Sequence, residues 1–435
     1  MRRTVIGFSI IFILANSAAA LTLNESLDLA LKNNPAVAEA YQGTAQAAGK
    51  LSQAGTSFLP SVKLEGAMGK AYSSPQTMQL SAGGITQTLS FGTSDQANTA
   101  NYSFALTQPL FVAALLPGYG LARKNYDLSR ENLRKVTQET AYNTIVAYAN
   151  VIRAQQLVEL SGQSLEMANT HLRQAQIMFN SGVATKADYL RGQVQVLNSQ
   201  VALTKAKNGL ILAQAAFNNV LGRDSEQPVE VDEKEFNRPT PSALPEYSQL
   251  LAETFKYRPD WLQILLTEAM AQDNLAVTRT EYLPSFMLVG TYGNSKQEYP
   301  TFKSDIHSWT AVISGSWSLI NFPTAGKVAE AQANEAAAAA RRKTIRNGIE
   351  LEARGAYFDL KTALETMDLS RKAVEAAEEN YKVSEIRYNA GAGTNIESID
   401  AQVSLTQARI NLLQARFDLE IARAKLNKVV GKEII

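Results

Sequence analysis

Apolar positions recur at alternating steps of three and four along four long stretches of this chain. Val158, Ser161, Leu165, Ala168, Leu172, Ala175 and Phe179 form one such run, and Ala187, Leu190, Val194, Leu197, Val201 and Thr204 a second. Val374, Ala377, Tyr381, Ser384 and Tyr388 form a third, and Ile396, Ile399, Val403, Thr406, Ile410, Leu413 and Phe417 a fourth. That rhythm is the narrow a/d seam of a coiled coil rather than the wider stripe of a globular helix. Runs one and two, and runs three and four, are separated by a short motif. The first is Phe179-Asn180-Ser181-Gly182-Val183-Ala184-Thr185-Lys186-Ala187-Asp188. The second is Tyr388-Asn389-Ala390-Gly391-Ala392-Gly393-Thr394-Asn395-Ile396-Glu397. Gly after a helical run stops it, and Thr followed three residues later by Asp or Glu is a capping box that starts the next. Each motif therefore predicts the tip of a helical hairpin.

Elsewhere the period changes to two. Tyr102, Phe104 and Leu106 alternate with Asn101, Ser103 and Ala105; Phe286, Leu288, Gly290 and Tyr292 alternate with Met287, Val289 and Thr291. Trp309, Ala311, Ile313, Gly315, Trp317 and Leu319 alternate with mainly Ser and Thr. The pattern predicts four strands, at about 61–71, 99–111, 285–294 and 308–322, with polar loops between the members of each pair, at roughly 72–98 and 294–307. An apolar face opposite a Ser/Thr face fits strands with lipid outside and water inside. A soluble half-buried sheet shows the same alternation.

The chain is duplicated. Phe58-Leu59-Pro60-Ser61 matches Tyr282-Leu283-Pro284-Ser285, and Asn34-Pro35 matches Arg258-Pro259, both at an offset of 224. Tyr148 matches Tyr357, Gln193-Val194 matches Gln402-Val403, and Gly222 matches Gly431, at an offset of 209. Each copy reads as short helix, Leu-Pro break, extended segment, very long helix, tip and return helix. Residues 21–222 and 246–435 are the expected repeats, with hairpins over about 118–221 and 325–430, and the Pro-rich stretch 223–245 as linker. Helices of sixty-odd residues would reach roughly 95 Å.

Composition adds three constraints. The 42 basic and 41 acidic residues nearly cancel, so no nucleic-acid footprint is expected. There is no Cys, which removes disulfides, thiolate metal sites, Cys nucleophiles and a lipid-modified N-terminal Cys. The two His, His171 and His307, read as a helix-face and a loop residue rather than metal ligands. At the start, Arg2-Arg3, an apolar run and Ala18-Ala19-Ala20 read as a secretory signal peptide over 1–20. Export favours the membrane reading of the strands. Four strands leave two open edges, which lipid does not tolerate, so closure needs more than one chain; three chains give twelve strands.

The duplicated helix-strand-strand-helix units, Leu-Pro-Ser breaks and Gly-x-x-Thr tips resemble the TolC-like outer membrane efflux protein family. The resemblance implies a homotrimer with a twelve-stranded outer-membrane β-barrel, continued by a periplasmic α-barrel of coiled-coil hairpins. It implies an exit duct of a tripartite efflux or type I secretion system, in a Gram-negative type envelope. Its partners would be a periplasmic adaptor protein, an inner-membrane transporter of the RND, ABC or MFS type, and outer membrane lipid. Family gate residues map onto Glu397 and Asp400, with Asp188 as first-copy counterpart and Tyr388 in the closing network. Where that network has a basic residue, this chain has Gly393. Glu397 and Asp188 also close capping boxes, so both roles stand. The tips, Gly182, Val183 and Thr185 with Gly391, Ala392 and Thr394, are the expected adaptor-docking residues. No catalytic motif, cofactor fingerprint or metal-ligand spacing is present, so an enzyme is not expected. The competing class is a soluble periplasmic or secreted coiled-coil structural protein.

Overall fold

The computed structural model describes residues 20–72, 74–91, 96–233, 244–300 and 302–432. The expected signal peptide lies outside the described residues, apart from Ala20. The elements run α1 Leu23–Asn33, α2 Pro35–Thr56, β1 Ser61–Tyr72, β2 Gln76–Ala82, β3 Ile85–Phe91, β4 Gln96–Val112, α3 Leu115–Asn180 and α4 Lys186–Val220. The second half runs α5 Tyr247–Tyr257, α6 Pro259–Arg279, β5 Ser285–Glu298, β6 Lys303–Ser316, α7 Phe322–Asn389 and α8 Asn395–Val430. None of the described helices is long and apolar enough to cross a membrane.

Contacts divide the chain into two units. The first holds residues 1–43, 130–263 and 344–435 and is helical. It has two apolar cores, and each is built mainly by one copy of the duplication. Leu23, Ala30, Tyr148, Ile152, Phe217 and Leu221 lead one; Leu250, Ala353, Ala356, Leu360, Leu426 and Val430 lead the other. Tyr148 is fully buried but its hydroxyl is satisfied, donating its one proton between the carbonyls of Asp232 (2.7 Å) and Leu21 (3.0 Å). The duplication is also visible as repeated contacts. Asn34 donates to the carbonyl of Val220 at 3.0 Å, and its counterpart Arg258 reaches that of Val429 at 3.5 Å. Both partners are carbonyls at a helix C-terminus, which have no partner within the helix.

The second unit, residues 44–129 and 264–343, holds the strands. One antiparallel sheet has the order β1-β4-β5-β6. Its register settles which residues share a face. Leu64, Phe104, Tyr292 and Trp309 stand in one row across the four strands; Val62, Leu106, Gly290 and Ala311 stand in the next. On the other face Glu65, Ser103, Gly293 and Ser308 share a row, and Thr291 and Thr310 hydrogen-bond at 2.6 Å. The apolar and polar stripes read from single strands are therefore continuous across the sheet.

Three expectations about the strands need correction. Segment 72–98 is not all loop: β2 and β3 pair in register as a separate hairpin, turning at Gly83-Gly84. Both glycines have positive φ (61° and 84°), as a two-residue type I′ turn requires. Ser, Thr and Gln made the segment look like loop, although Thr is a good strand former. Strands β5 and β6 also run on, to Glu298 and from Lys303, leaving a short connection. The last strand stops at Ser316 rather than 322, because its partner β5 begins at Ser285, directly after Pro284, which has no N–H to donate.

Candidate functional site

The helical unit carries the two tips. α3 ends in Ser181-Gly182, where Gly182 takes φ of 76° and the amides of Val183 and Ala184 fold back on the carbonyl of Met178 (2.9 and 3.1 Å). α7 ends the same way at Gly391, φ 70°, with the amides of Ala392 and Gly393 on the carbonyl of Arg387 (2.9 and 3.0 Å). Thr185 caps α4 and Thr394 caps α8, each through a complete capping box closed by Asp188 and Glu397 respectively. Gly182, Val183, Thr185, Gly391, Ala392 and Thr394 are all exposed. Turn chemistry thus presents a short exposed loop at each tip.

Behind the tips, one polar cluster joins all four long helices. The His171 imidazole of α3 lies 2.7 Å, through Nε2, from Asn395 Oδ1 of α8. Asn395 Nδ2 donates to the backbone carbonyl of Asp188 at 3.2 Å and to its carboxylate at 3.4 Å, in α4. His171 Nδ1 is 3.4 Å from the Ser398 hydroxyl, and the ring lies against Tyr388 of α7 with centroids 5.0 Å apart. Asn395, Ser398 and Tyr388 are buried. Burial pushes the His171 pKa down, against the Asn395 hydrogen bond and the Glu385 charge, which push it up. The Thr185 hydroxyl holds the Asp188 carboxyl below its usual range, aided by Asn395 and by Arg191. Burial, then the Asp188 charge, pushes the Tyr388 phenol up. The Tyr388 hydroxyl is buried with no hydrogen-bond partner among the described residues.

The structure therefore brings Asp188 and Tyr388 together and leaves Glu397 and Asp400 on the exposed face of α8. Glu397 closes its capping box, and its carboxylate is 3.9 Å from the Arg387 guanidinium, which also donates to the Ala392 carbonyl at 3.2 Å. Asp400 has no ion pair among the described residues. At Gly393 space is tight: a side-chain carbon there would stand 3.1 Å from Arg387 Cβ and from the Tyr388 amide nitrogen. The positive charge near Glu397 comes from Arg387 instead. Sequence reasoning missed Arg387, Asn395 and Ser398, and read His171 only as a helix-face residue. The available signal was a His and an Asn directly beside the seam positions Leu172 and Ile396, in helices otherwise packed by small and apolar groups.

Among the described residues no group of three or more His, Asp or Glu is placed to hold a metal ion. The constellation contains no activated nucleophile. What it can do is hold two hairpins together through hydrogen bonds centred on Asn395, with the carboxylates of Glu397 and Asp400 on a neighbouring exposed face.

A family model described as outer membrane efflux protein matches residues 26–223 and 250–432. TolC of Escherichia coli (strain K12) is 22% identical over 351 residues, covering 77% of this chain and 68% of that protein. Among solved structures, the outer-membrane channel OprN superposes with a TM-score of 0.78 at 17% identity, covering 94% of this chain and 89% of that one. The open state of the MtrE channel of Neisseria gonorrhoeae superposes at 0.76 and 17% identity, covering 94% and 89%.

Proposed function

The chain belongs to the outer membrane efflux protein family, and from that premise we propose that it works as a homotrimeric duct docked by its helical tips to a periplasmic adaptor. The protein is an outer membrane efflux channel, an exit duct and not an enzyme. What remains is how it assembles, docks and closes.

One observation supports the trimer above others. The four-stranded sheet ends in β1 and β6, and neither edge has a strand partner among the described residues. Yet one face carries Leu64, Phe104, Tyr292 and Trp309 in a row. A sheet in lipid cannot leave an edge of unpaired N–H and C=O groups. Bacterial barrels have even strand numbers from eight upward, so one chain is too small; two chains would give eight strands, and the proposed trimer gives twelve. An inner-membrane transporter of the RND, ABC or MFS type would feed the duct through the adaptor. The small exposed tips suit docking against another protein's hairpin ends.

The test is crosslinking in cells and in detergent. Cys pairs placed at facing positions on β1 and β6 should give covalent trimers, and Val183→Asp with Ala392→Asp should abolish adaptor crosslinking at normal abundance. A detergent-purified monomer with intact sheet signal would sink the trimer. Normal export by the tip variant would sink the docking reading.

A further inference from the structure

At the end of the sheet away from the helices, every formal charge on the described strand residues points to one side. Lys70, Lys296, Glu298, Lys303 and Asp305 all stand on the face of Phe104, Tyr292 and Trp309. The opposite face at that end, with Gly69, Thr99, Ser295, Gln297 and Ser304, carries none. Solvation of the outer loops alone would place charge on both faces. Here the water-filled side is neutral and the lipid side is ionic.

The order of rows along the strands is also directional. The aromatic row Phe104–Tyr292–Trp309 is followed by Tyr102, Asn294 and His307, then by Lys296 with Asp305 (3.3 Å apart), then by Lys303 with Glu298. Lys70 stands directly opposite Asn98, two strands from Glu298 in the same row, and has no ion pair among the described residues. Four residues separate Tyr292 from Lys296, about 13 Å of strand at roughly 3.3 Å per residue. With a tilt of about 40° that is about 10 Å along the membrane normal, just beyond the hydrocarbon edge and within the headgroup layer.

We propose that this ionic shelf, centred on Lys70, Lys296 and Lys303, binds the phosphorylated glycolipid headgroups of the outer leaflet. The inference rests on the outer membrane placement of the sheet. Three lysines against two acids leave each chain a net positive shelf. An ammonium paired with one carboxylate keeps donors for a phosphate. His307, in the row below, can add a hydrogen bond to the same headgroup. Lipid bound there would tie the loops to the membrane surface rather than to the pore.

The channel, purified in detergent with divalent cations chelated, is titrated with lipid A, with dephosphorylated lipid A and with inorganic phosphate. Binding is read by native mass spectrometry and by the midpoint of thermal dissociation. Lipid A should bind and raise the midpoint, while the other two leave it nearly unchanged. Lys70→Gln with Lys296→Gln and Lys303→Gln should lose more than half of that rise. Lys63→Gln, on the pore-side face, should keep it. If the triple variant does not assemble, Lys70→Gln alone, which breaks no ion pair, should still reduce lipid A bound per chain. Equal stabilisation by dephosphorylated lipid, full retention in these variants, or competition by inorganic phosphate at equal concentration would overturn the proposal.

Discussion

A side-chain carbon at Gly222 would stand 2.6 Å from the carbonyl oxygen of Asn33, so the end of α4 rests directly on the end of α1. The same contact recurs one repeat later, where a carbon at Gly431 would lie 2.8 Å from the carbonyl of Tyr257. Both glycines have positive φ, 68° and 83°. Each repeat is thus closed by a glycine that both reverses the chain and admits close backbone approach.

Gly222→Ala and Gly431→Ala should therefore each destabilise the protein by about 2–4 kcal/mol, combining left-handed strain with a backbone clash. Gly182→Ala, at φ 76° but with nothing within 4 Å of the added carbon, should cost only about 1 kcal/mol. Thermal dissociation midpoints and steady-state abundance should rank the three in that order. Equal effects would mean that conformation alone, not the contact, sets the requirement.

That pair of contacts shows how far the sequence could be read. The offsets of 209 and 224 placed Gly222 opposite Gly431, and Asn34 opposite Arg258, before any coordinates. The capping boxes at Thr185 and Thr394 were legible because they are local, spanning three residues. The β2–β3 hairpin was missed although Gly83-Gly84 is a hairpin signal, because its Ser and Thr looked like loop. The cluster around His171 was not legible. Its members lie on four helices, with His171 and Asn395 separated by 224 residues. A 3.6-residue period says which face of a helix is covered, not which side chain from another helix covers it. The role of Arg387 beside Glu397 is hidden for the same reason.

The His171 cluster gives a pH dependence with a definite sign. Burial lowers the folded-state pKa of His171, so folding favours the neutral imidazole. Its contribution is fully present above the unfolded value, about 6.5. It is lost as pH falls from there through the lower folded value, because the unfolded chain binds the proton first. The facing charges are Glu385 and Asp188, and the remaining neighbours are the neutral Tyr388, Asn395 and Ser398. Amide protection factors at 177–190 and 386–400, corrected for the intrinsic pH dependence of exchange, should fall as pH drops below about 6.5. His171→Gln should remove most of that difference, leaving only carboxylate titration. An unchanged profile in the variant would assign the effect to other groups.

Tyr388→Phe separates packing from closure. The ring is buried against His171, but the hydroxyl has no hydrogen-bond partner among the described residues. Within one chain its removal should be neutral or stabilising, since an unsatisfied buried hydroxyl costs about 1–3 kcal/mol. If the assembled duct supplies a partner for that hydroxyl, the same variant should raise resting conductance at unchanged abundance. A clear loss of stability in the detergent-purified protein would show that the hydroxyl is already bonded within the fold.

We propose that the gate rests on Glu397 and Asp400. Both lie exposed on the first turns of α8, three residues apart and so on one face. In a threefold assembly up to six carboxylates would converge at the periplasmic mouth, attracting cations. Glu397 is restrained by its capping box and by Arg387 at 3.9 Å, whereas Asp400 is free of such contacts among the described residues. The two should therefore contribute unequally. Asp400→Asn should lower cation selectivity in planar bilayers more than Glu397→Gln, which keeps an amide able to close the box. Arg387→Ala should raise selectivity by unmasking Glu397. The double carboxylate variant should lose both selectivity and block by trivalent cations added from the periplasmic side, with the trimer intact. Full selectivity and block in the double variant would reduce both residues to helix-start roles and place the constriction elsewhere along the duct.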